Sequence, residues 1–415
     1  MRNILFLLRT LLMNNLLIGL VRALHHHRWL RLLGGAFILS SLGNGLTQVV
    51  IFGQMLRWHA PPSALTLAYM LATLPGFCGS LLGENLSRRV PPLRLLILTE
   101  LFGMCALILP VLGLLHHNIP AMLAMQSVEA FLGGMSYPAL TLIFKQGLSV
   151  QELPAATCME TLIFAAQVLL GTGLGVLLFE VLSPPALLSI DAVSFVAATT
   201  LLVATARDTH ISQIVPIVAQ SKVAILRWDG LSVLQKRSLL LLPALAAVGS
   251  PAMALLPAMA QQIRPVDTTS LALPLLFARS LGQLCGPLVL SGDRLSRYAK
   301  SNGRLLLCMG IFLAAYGAFP FLASQKAVAL GLIFGAHLAS NIVFALGTFS
   351  ILAYFPAEQV SGASAKAWRW QALTSALVAA IAAVLASEWD AVQALYTVCL
   401  TSLAAVALIL VRYRQ

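Results

Sequence analysis

Six ionisable side chains stand inside otherwise apolar stretches: Glu100, Glu129, Glu160, Arg279, Lys366 and Arg369. A charge near the centre of a bilayer costs about 2.5–3.5 kcal/mol even on a lenient insertion scale, so each calls for a partner, water or a function. Positions three, four and seven apart share a helix face, and at that spacing most of these charges fall in line with further polar groups. Gln126, Glu129 and Gly133 form one stripe, Glu160, Phe164 and Gln167 a second, Arg279, Gln283 and Gly286 a third, and Lys366, Arg369 and Trp370 a fourth. Asn44 with Gln48, and His337 with Asn341, add two pairs at i,i+4. The first half of the chain therefore offers acids and the second offers bases.

Two kinds of chemistry suit such a set. A buried carboxylate that is paired or wet in one state and desolvated in another changes its proton affinity between them, so Glu160 and Glu129 are candidates for proton coupling. Arg279, Lys366 and Arg369 beside Trp370 suit a carboxylate-bearing or otherwise anionic solute with an aromatic or apolar portion. Alternatively, the same groups are inter-helix contacts that set registry. Arg279 lies midway along its apolar stretch and must be answered inside, by a substrate anion or by Glu129 or Glu160. Glu100 reads better as an interfacial or packing group, and Asp191 as a helix-start or packing residue.

The elements that must position these groups are membrane helices. Of 415 residues, 59% are hydrophobic and 10% charged, against about 45–50% and about 25% in soluble domains, and the mean hydropathy is +0.89. Soluble enzymes and nucleic-acid-binding modules are excluded. The apolar runs lack the alternation of barrel strands and are long enough for helices of about 20 residues. They fall at 32–56, 64–84, 95–115, 119–143, 154–179, 185–206, 238–260, 269–291, 305–324, 327–354, 362–387 and 391–411. Twelve spans result, split six and six by the polar interval 207–237. The expected organisation is an N-terminal segment 1–31, a bundle 32–206, a central loop 207–237, a second bundle 238–411 and a tail 412–415.

With both termini in the cytoplasm, 20 of the 26 Lys and Arg residues fall in cytoplasmic segments, as the positive-inside rule requires. Residues 1–24 are apolar but are interrupted by Arg9 and lack a small-residue cleavage site, so they read as an interfacial helix rather than a signal peptide. His25, His26 and His27 follow it as interfacial residues. The six cysteines show no paired spacing, which suggests neither a disulfide framework nor a metal cage. No phosphate-binding Gly-rich loop of the Walker type is present.

Several local motifs accompany this plan. Gly79-Ser-Leu-Leu-Gly-Glu84-Asn-Leu-Ser-Arg88-Arg89 follows span 2, and Gly286-Pro-Leu-Val-Leu-Ser-Gly-Asp293-Arg294-Leu-Ser-Arg297 stands in the equivalent place in the second half. Span 1 holds Ser41-Leu-Gly43-Asn44-Gly45, span 5 holds Gly171-Thr-Gly-Leu-Gly175, and Ile190-Asp191-Ala-Val-Ser194-Phe195 opens span 6. Glu152-Leu-Pro-Ala-Ala156 before span 5 aligns without gaps with Glu358-Gln-Val-Ser-Gly362 before span 11, which sets Glu160 opposite Lys366. Together these residues resemble the major facilitator superfamily over about residues 32–411, and within it the branch of multidrug and siderophore exporters. Glu84 and Asn85 replace the usual aspartate and arginine of the loop motif, Asn44 replaces an aspartate, and Thr172 stands where the antiporter signature has proline.

The resemblance implies an all-α membrane protein of twelve transmembrane helices in two pseudo-symmetric six-helix bundles. Spans 1, 2, 4, 5, 7, 8, 10 and 11 would border a central cavity, which places Asn44, Gln48, Glu129, Arg279, Gln283, His337, Asn341, Lys366, Arg369 and Trp370 as substrate-binding candidates. Glu84, Arg88, Arg89, Glu152, Asp293, Arg294, Arg297 and Glu358 are the gating-loop candidates. The implied activity is secondary active transport driven by the proton gradient, with no cofactor and no covalent chemistry. The expected location is the bacterial inner membrane, as a monomer whose partners are a small solute and the bilayer, with no nucleic acid. Export of a siderophore or related metabolite by proton antiport is the leading expectation. Import of a siderophore or organic anion by proton symport, lipid flipping, and a non-transporting sensor or assembly role stand as alternatives.

Overall fold

Backbone in hydrocarbon must satisfy its own hydrogen bonds, so an apolar chain of this kind folds into helices. A computed structural model describes residues 16–58, 60, 67, 68, 70–208, 226–263 and 269–413. In chain order the elements are α1 (Leu16–His26), α2 (Arg28–Arg57), α3 (Pro75–Ser87), α4 (Pro92–Ala106), α5 (Ile108–His116) and α6 (Ile119–Gly147). There follow α7 (Leu153–Ala166), a π-helical segment (Gln167–Gly173), α8 (Leu174–Phe179), α9 (Pro184–Ala206), α10 (Val233–Ile263) and α11 (Thr269–Cys285). The chain ends with α12 (Leu295–Lys300), α13 (Asn302–Leu322), α14 (Lys326–Tyr354), α15 (Ala357–Glu388) and α16 (Ala391–Arg412).

Among the described residues nine helical stretches are long and apolar enough to cross a membrane. The other three expected spans correspond to α3, whose preceding residues lie partly outside the described set, to the α7–π–α8 run, and to α11. Local signals start several of these helices. Proline occupies the first turn of α3, α4, α6, α7 and α9, where its missing N–H is not needed. The Asn118 side chain accepts from Ala121 N at 3.0 Å to cap α6, and Asp390 accepts from Val392 N and Gln393 N at 2.7 and 2.9 Å to cap α16. His117, at φ 50°, closes α5 in the left-handed region.

The glycine-rich run of span 5 is a packing surface. A Cβ on Gly171 would meet the backbone of Gly45, Leu42 and Ser41, and one on Gly45 would meet the backbone of Gly171 and Gln167. The two glycines let α2 and the π-helical segment touch main chain to main chain, as small residues do between membrane helices. That segment interrupts the continuous helix expected over 154–179, with Gln167 as its first residue.

Within the first half α2 packs on α9 and α3 on α6; within the second, α10 packs on α15 and α11 on α14. The halves meet through α15 against α3 and α6, and through α7 against α11 and α14. At one end of the bundle Trp228, just before α10, packs on Trp370 and on Tyr413, the last described residue. This basic end also carries α1, whose Leu16 N donates to Leu290 O at 3.2 Å. An interfacial helix is expected over 1–24; residues 1–15 lie outside the described set, and α1 itself buries Leu16, Leu20 and Ala23 against the bundle.

Candidate functional site

The halves are latched at the basic end. Arg369 Nη1 of α15 donates to Glu84 Oε2 of α3 at 2.8 Å, while Arg88 Nη2 donates to Glu84 Oε1 at 2.7 Å. Lys145 Nζ, at the end of α6, donates to Leu352 O of α14 at 2.6 Å. Glu358, in the first turn of α15, lies within electrostatic reach of the same lysine. Tyr137 of α6 and Trp368 of α15 pack with ring centroids 4.9 Å apart, and the Trp368 indole also lies against Gly76.

Beside the first half, His27 Nε2 and Glu152 Oε1 are 2.8 Å apart, and Glu152 Oε2 accepts from Ser149 N and Ser149 Oγ at 3.1 and 2.7 Å. Partial burial alone would raise the Glu152 pKa; the Ser149 and His27 contacts outweigh it and hold the carboxyl below its usual range. His27 thus has a carboxylate partner where the sequence suggests a plain interfacial residue. Arg89 is exposed just beyond α3. Asp293 and Arg294 lie in a 3-10 turn and Arg297 in α12, on the equivalent loop of the second half.

Away from the latch, the two halves present charges of opposite sign that are not spent on each other. Glu129 of α6 and Glu160 of α7 each have a buried Oε1 without a hydrogen-bond partner, and Arg279 of α11 has a buried Nε in the same condition. Among the described residues no ion pair joins Arg279 to either acid. Buried polar atoms are normally satisfied, and those that are not require an explanation. Glu160 Oε2 accepts from the Tyr137 hydroxyl at 3.5 Å, and Thr348 of α14 adjoins both residues. Glu160 therefore sits where α6, α7 and α14 converge, across the junction of the halves.

The remaining candidates fall into three groups. Asn44 Oδ1, Gln126 Nε2 and Gln283 Oε1 are further buried atoms without partners, on α2, α6 and α11, and Gln48 is half-buried on α2. Asn341 Nδ2 donates to the Gln283 carbonyl, and His337 is held by Tyr316 of α13, with Nε2 2.7 Å from its hydroxyl. These two residues tie α14 to α11 and α13 inside the second half, although His337 stays within electrostatic reach of Arg279.

Lys366, Arg369 and Trp370 are not brought to Arg279. Lys366 Nζ points at Leu226 O, 3.5 Å away, and lies 5.1 Å from the Trp370 ring centroid; Trp370 packs on Trp228 at 5.5 Å. The spacing along α15 correctly puts the three on a common side of one helix, but that side meets the latch and the chain leading into α10.

Tyr137, Trp368 and Thr348 are contacts that sequence reasoning missed, because no local pattern announces an aromatic pair or hydroxyl supplied from the other half. Asp191 is fully buried, accepting from Thr47 Oγ1 at 2.5 Å and from Ser194 Oγ at 3.1 Å, so it ties α9 to α2 as a packing residue would. Glu100 on α4 is buried too, with Oε2 unpartnered.

No family model matches the chain. A curated protein of Pseudescherichia vulneris, described as an uncharacterized 29.9 kDa protein in the crtE 3′ region, is 73% identical over 73 residues, or 18% of this chain and 27% of that protein. The chain thus spans about a quarter of that relative's length.

Solved structures match over nearly the whole chain. A bacterial homologue of the iron transporter ferroportin in an outward-facing state aligns with a TM-score of 0.67 and 15% identity, covering 93% of this chain and 99% of that one. The human organic anion transporter MFSD10 aligns at 0.63 and 14%, covering 92% and 99%. The E. coli fucose:proton symporter FucP aligns at 0.60 and 11%, covering 93% and 98%. With these matches and the helix order above, the chain has the all-α membrane architecture of the major facilitator fold.

Proposed function

We propose that the chain is a secondary active transporter in which two helical bundles rock about a site between them, alternately exposing it to either side. The observation that carries this reading is buried charge of opposite sign, unspent in the two halves: unpartnered acceptors on Glu129 and on Glu160, which adjoins Thr348 of the other half, and an unpartnered donor on Arg279. The Glu84–Arg369 and Lys145–Leu352 contacts close the basic end, which corresponds to the outward-facing half of such a cycle. The similarity to a protein described as outward-facing supports that assignment.

In this reading Arg279 is the anion-binding group, and the unpartnered polar atoms of Gln283, Gln126, Glu129 and Asn44 are further groups open to the solute. A guanidinium offers a carboxylate two parallel charge-assisted hydrogen bonds. Glu160 carries the coupling proton, since it sits at the meeting of the halves and its surroundings change when they separate. Lys366, Arg369 and Trp370 act in closing the basic end, with Glu84 and Arg88. The solute class supported by Arg279 is an anionic organic molecule, of which a siderophore or related metabolite is one form, and the exporter-like motifs favour efflux by proton antiport across a bacterial inner membrane. An organic anion transporter among the similar structures agrees with the solute class. The similarity to a proton symporter supports a second reading, import by symport, which uses the same groups with substrate and proton travelling together.

The test is Arg279→Gln. Because among the described residues no carboxylate is paired to Arg279, the variant should fold in normal yield and lose affinity mainly for anionic compounds, by about tenfold or more for one charge-assisted contact. Unchanged anion affinity on well-folded protein would remove Arg279 from the site. Low yield rescued by Glu129→Gln or Glu160→Gln would reassign it to a structural pair.

A further inference from the structure

On the outer surface of the first half, away from the junction, a groove of about 600 Å³ runs between α3, α4, α5 and α6. Leu86, Leu98, Phe102, Ile108, Phe131 and Met135 are among its walls. Phe102 and Ile108 are more than half exposed, so the groove opens to the hydrocarbon and is distinct from the site between the halves. From Leu95 to Leu109 its floor follows about 20 Å of helix at 1.5 Å per residue, which exceeds the roughly 15 Å depth of one leaflet's hydrocarbon.

Both walls lead to a positive charge at the basic end. Along α4 the exposed positions Arg94, Leu98, Phe102 and Cys105 recur on one face, as residues about four apart do. Along the other wall, Leu82 and Leu86 of α3 lead to Arg89, seven and three positions on. Arg89 and Arg94 are exposed, and among the described residues neither is in an ion pair. The acids of α3 and α4 do not answer them: Glu84 is taken up by Arg88 and Arg369, and Glu100 is buried. An apolar channel as deep as a leaflet, ending between two unpaired guanidiniums, is complementary to one molecule class in a membrane.

We propose that this groove is a binding site for an anionic phospholipid of the leaflet at the basic end. One acyl chain lies along α4, between Leu98 and Ile108, and the phosphate lies between Arg89 and Arg94. Electrostatic attraction of an anionic headgroup and dispersion along the chain act together, so the site selects phosphatidylglycerol over a zwitterionic lipid with the same chains.

Native mass spectrometry of the full chain in detergent, titrated with dioleoyl phosphatidylglycerol or dioleoyl phosphatidylcholine, tests this. The wild type should retain phosphatidylglycerol in preference. R89Q/R94Q should weaken phosphatidylglycerol retention roughly tenfold or more and leave phosphatidylcholine unchanged, given about 1 kcal/mol per basic residue at a membrane surface. R89K/R94K should keep most of the preference, and Leu98→Trp, which fills the groove, should lower retention of both lipids. Equal retention of the two lipids by the wild type would overturn the proposal, as would an unchanged preference in R89Q/R94Q. A dimer mass lost in Leu98→Trp would also overturn it, by assigning the face to a second copy.

Discussion

Glu84 and Arg369 are 285 positions apart in the chain and 2.8 Å apart in the fold. Their side chains are 18% and 14% exposed, so the pair is held largely out of solvent while the second carboxylate oxygen is occupied by Arg88. A partly desolvated, doubly donated carboxylate is strong while intact and costly to break, because removing one partner leaves a charge unanswered. Glu84→Gln should therefore loosen the basic end by about 3 kcal/mol. Hydrogen–deuterium exchange should speed up in the first turns of α15 and stay unchanged in α13; unaltered exchange across 357–372 would show that the latch rests on other contacts.

The Glu152 carboxyl adds a pH dependence on the same end. Its pKa is lowered in the folded protein by Ser149 and His27 against an opposing effect of burial. A depressed carboxylate contributes stability that is present above its unfolded pKa, about 4.3, and is lost as pH falls through the lower folded value. The contribution is under about 1 kcal/mol for a partly exposed pair screened by solvent. Thermal unfolding followed from about pH 6 down to about pH 2.5 should show a shallower acid-side fall in Glu152→Gln than in the wild type, with no difference in the acid limb speaking against the Ser149 and His27 contacts.

Gly171 and Gly45 hold span 5 against span 1, so a methyl group on either has no room beside the opposite backbone. Gly171→Ala and Gly45→Ala should each cost about 1–3 kcal/mol, the usual cost of overpacking, and lower folded yield. Gly133→Ala, where a Cβ meets nothing within 4 Å, should be neutral. Equal yields for all three would contradict the main-chain contact.

The helices were legible because hydropathy in a bilayer leaves the backbone no other solution, and their approximate ends because charged and Pro/Gly-rich breaks interrupt the apolar runs. The Glu84 loop was legible as a motif. Its partner was not: Arg369 lies on a common side of α15 with Lys366 and Trp370, and helical spacing says which residues share a side without saying what that side meets. Only the packing of α15 on α3 and α6 reveals that it faces the latch. Likewise, the spacing of Gly171 and Gly175 announces a close contact, but the opposing backbone of Gly45 comes from a helix more than a hundred residues earlier. The stripes of Glu129 and Arg279 were legible as charges midway along apolar helices, and each has a buried atom without a hydrogen-bond partner.

The central claim is that Glu160 couples protons to the movement of an anionic solute, and reconstituted liposomes test it most directly. With a pH gradient imposed across the membrane, the wild type should concentrate a member of a panel of carboxylate siderophores and organic anions against its own gradient, and collapse of the pH gradient should stop the uphill flux. Glu160→Gln should bind the same solute and equilibrate it without concentrating it, because a permanently neutral group carries no proton cycle. Undiminished uphill transport by Glu160→Gln, or uphill transport that ignores the pH gradient in the wild type, would contradict the account.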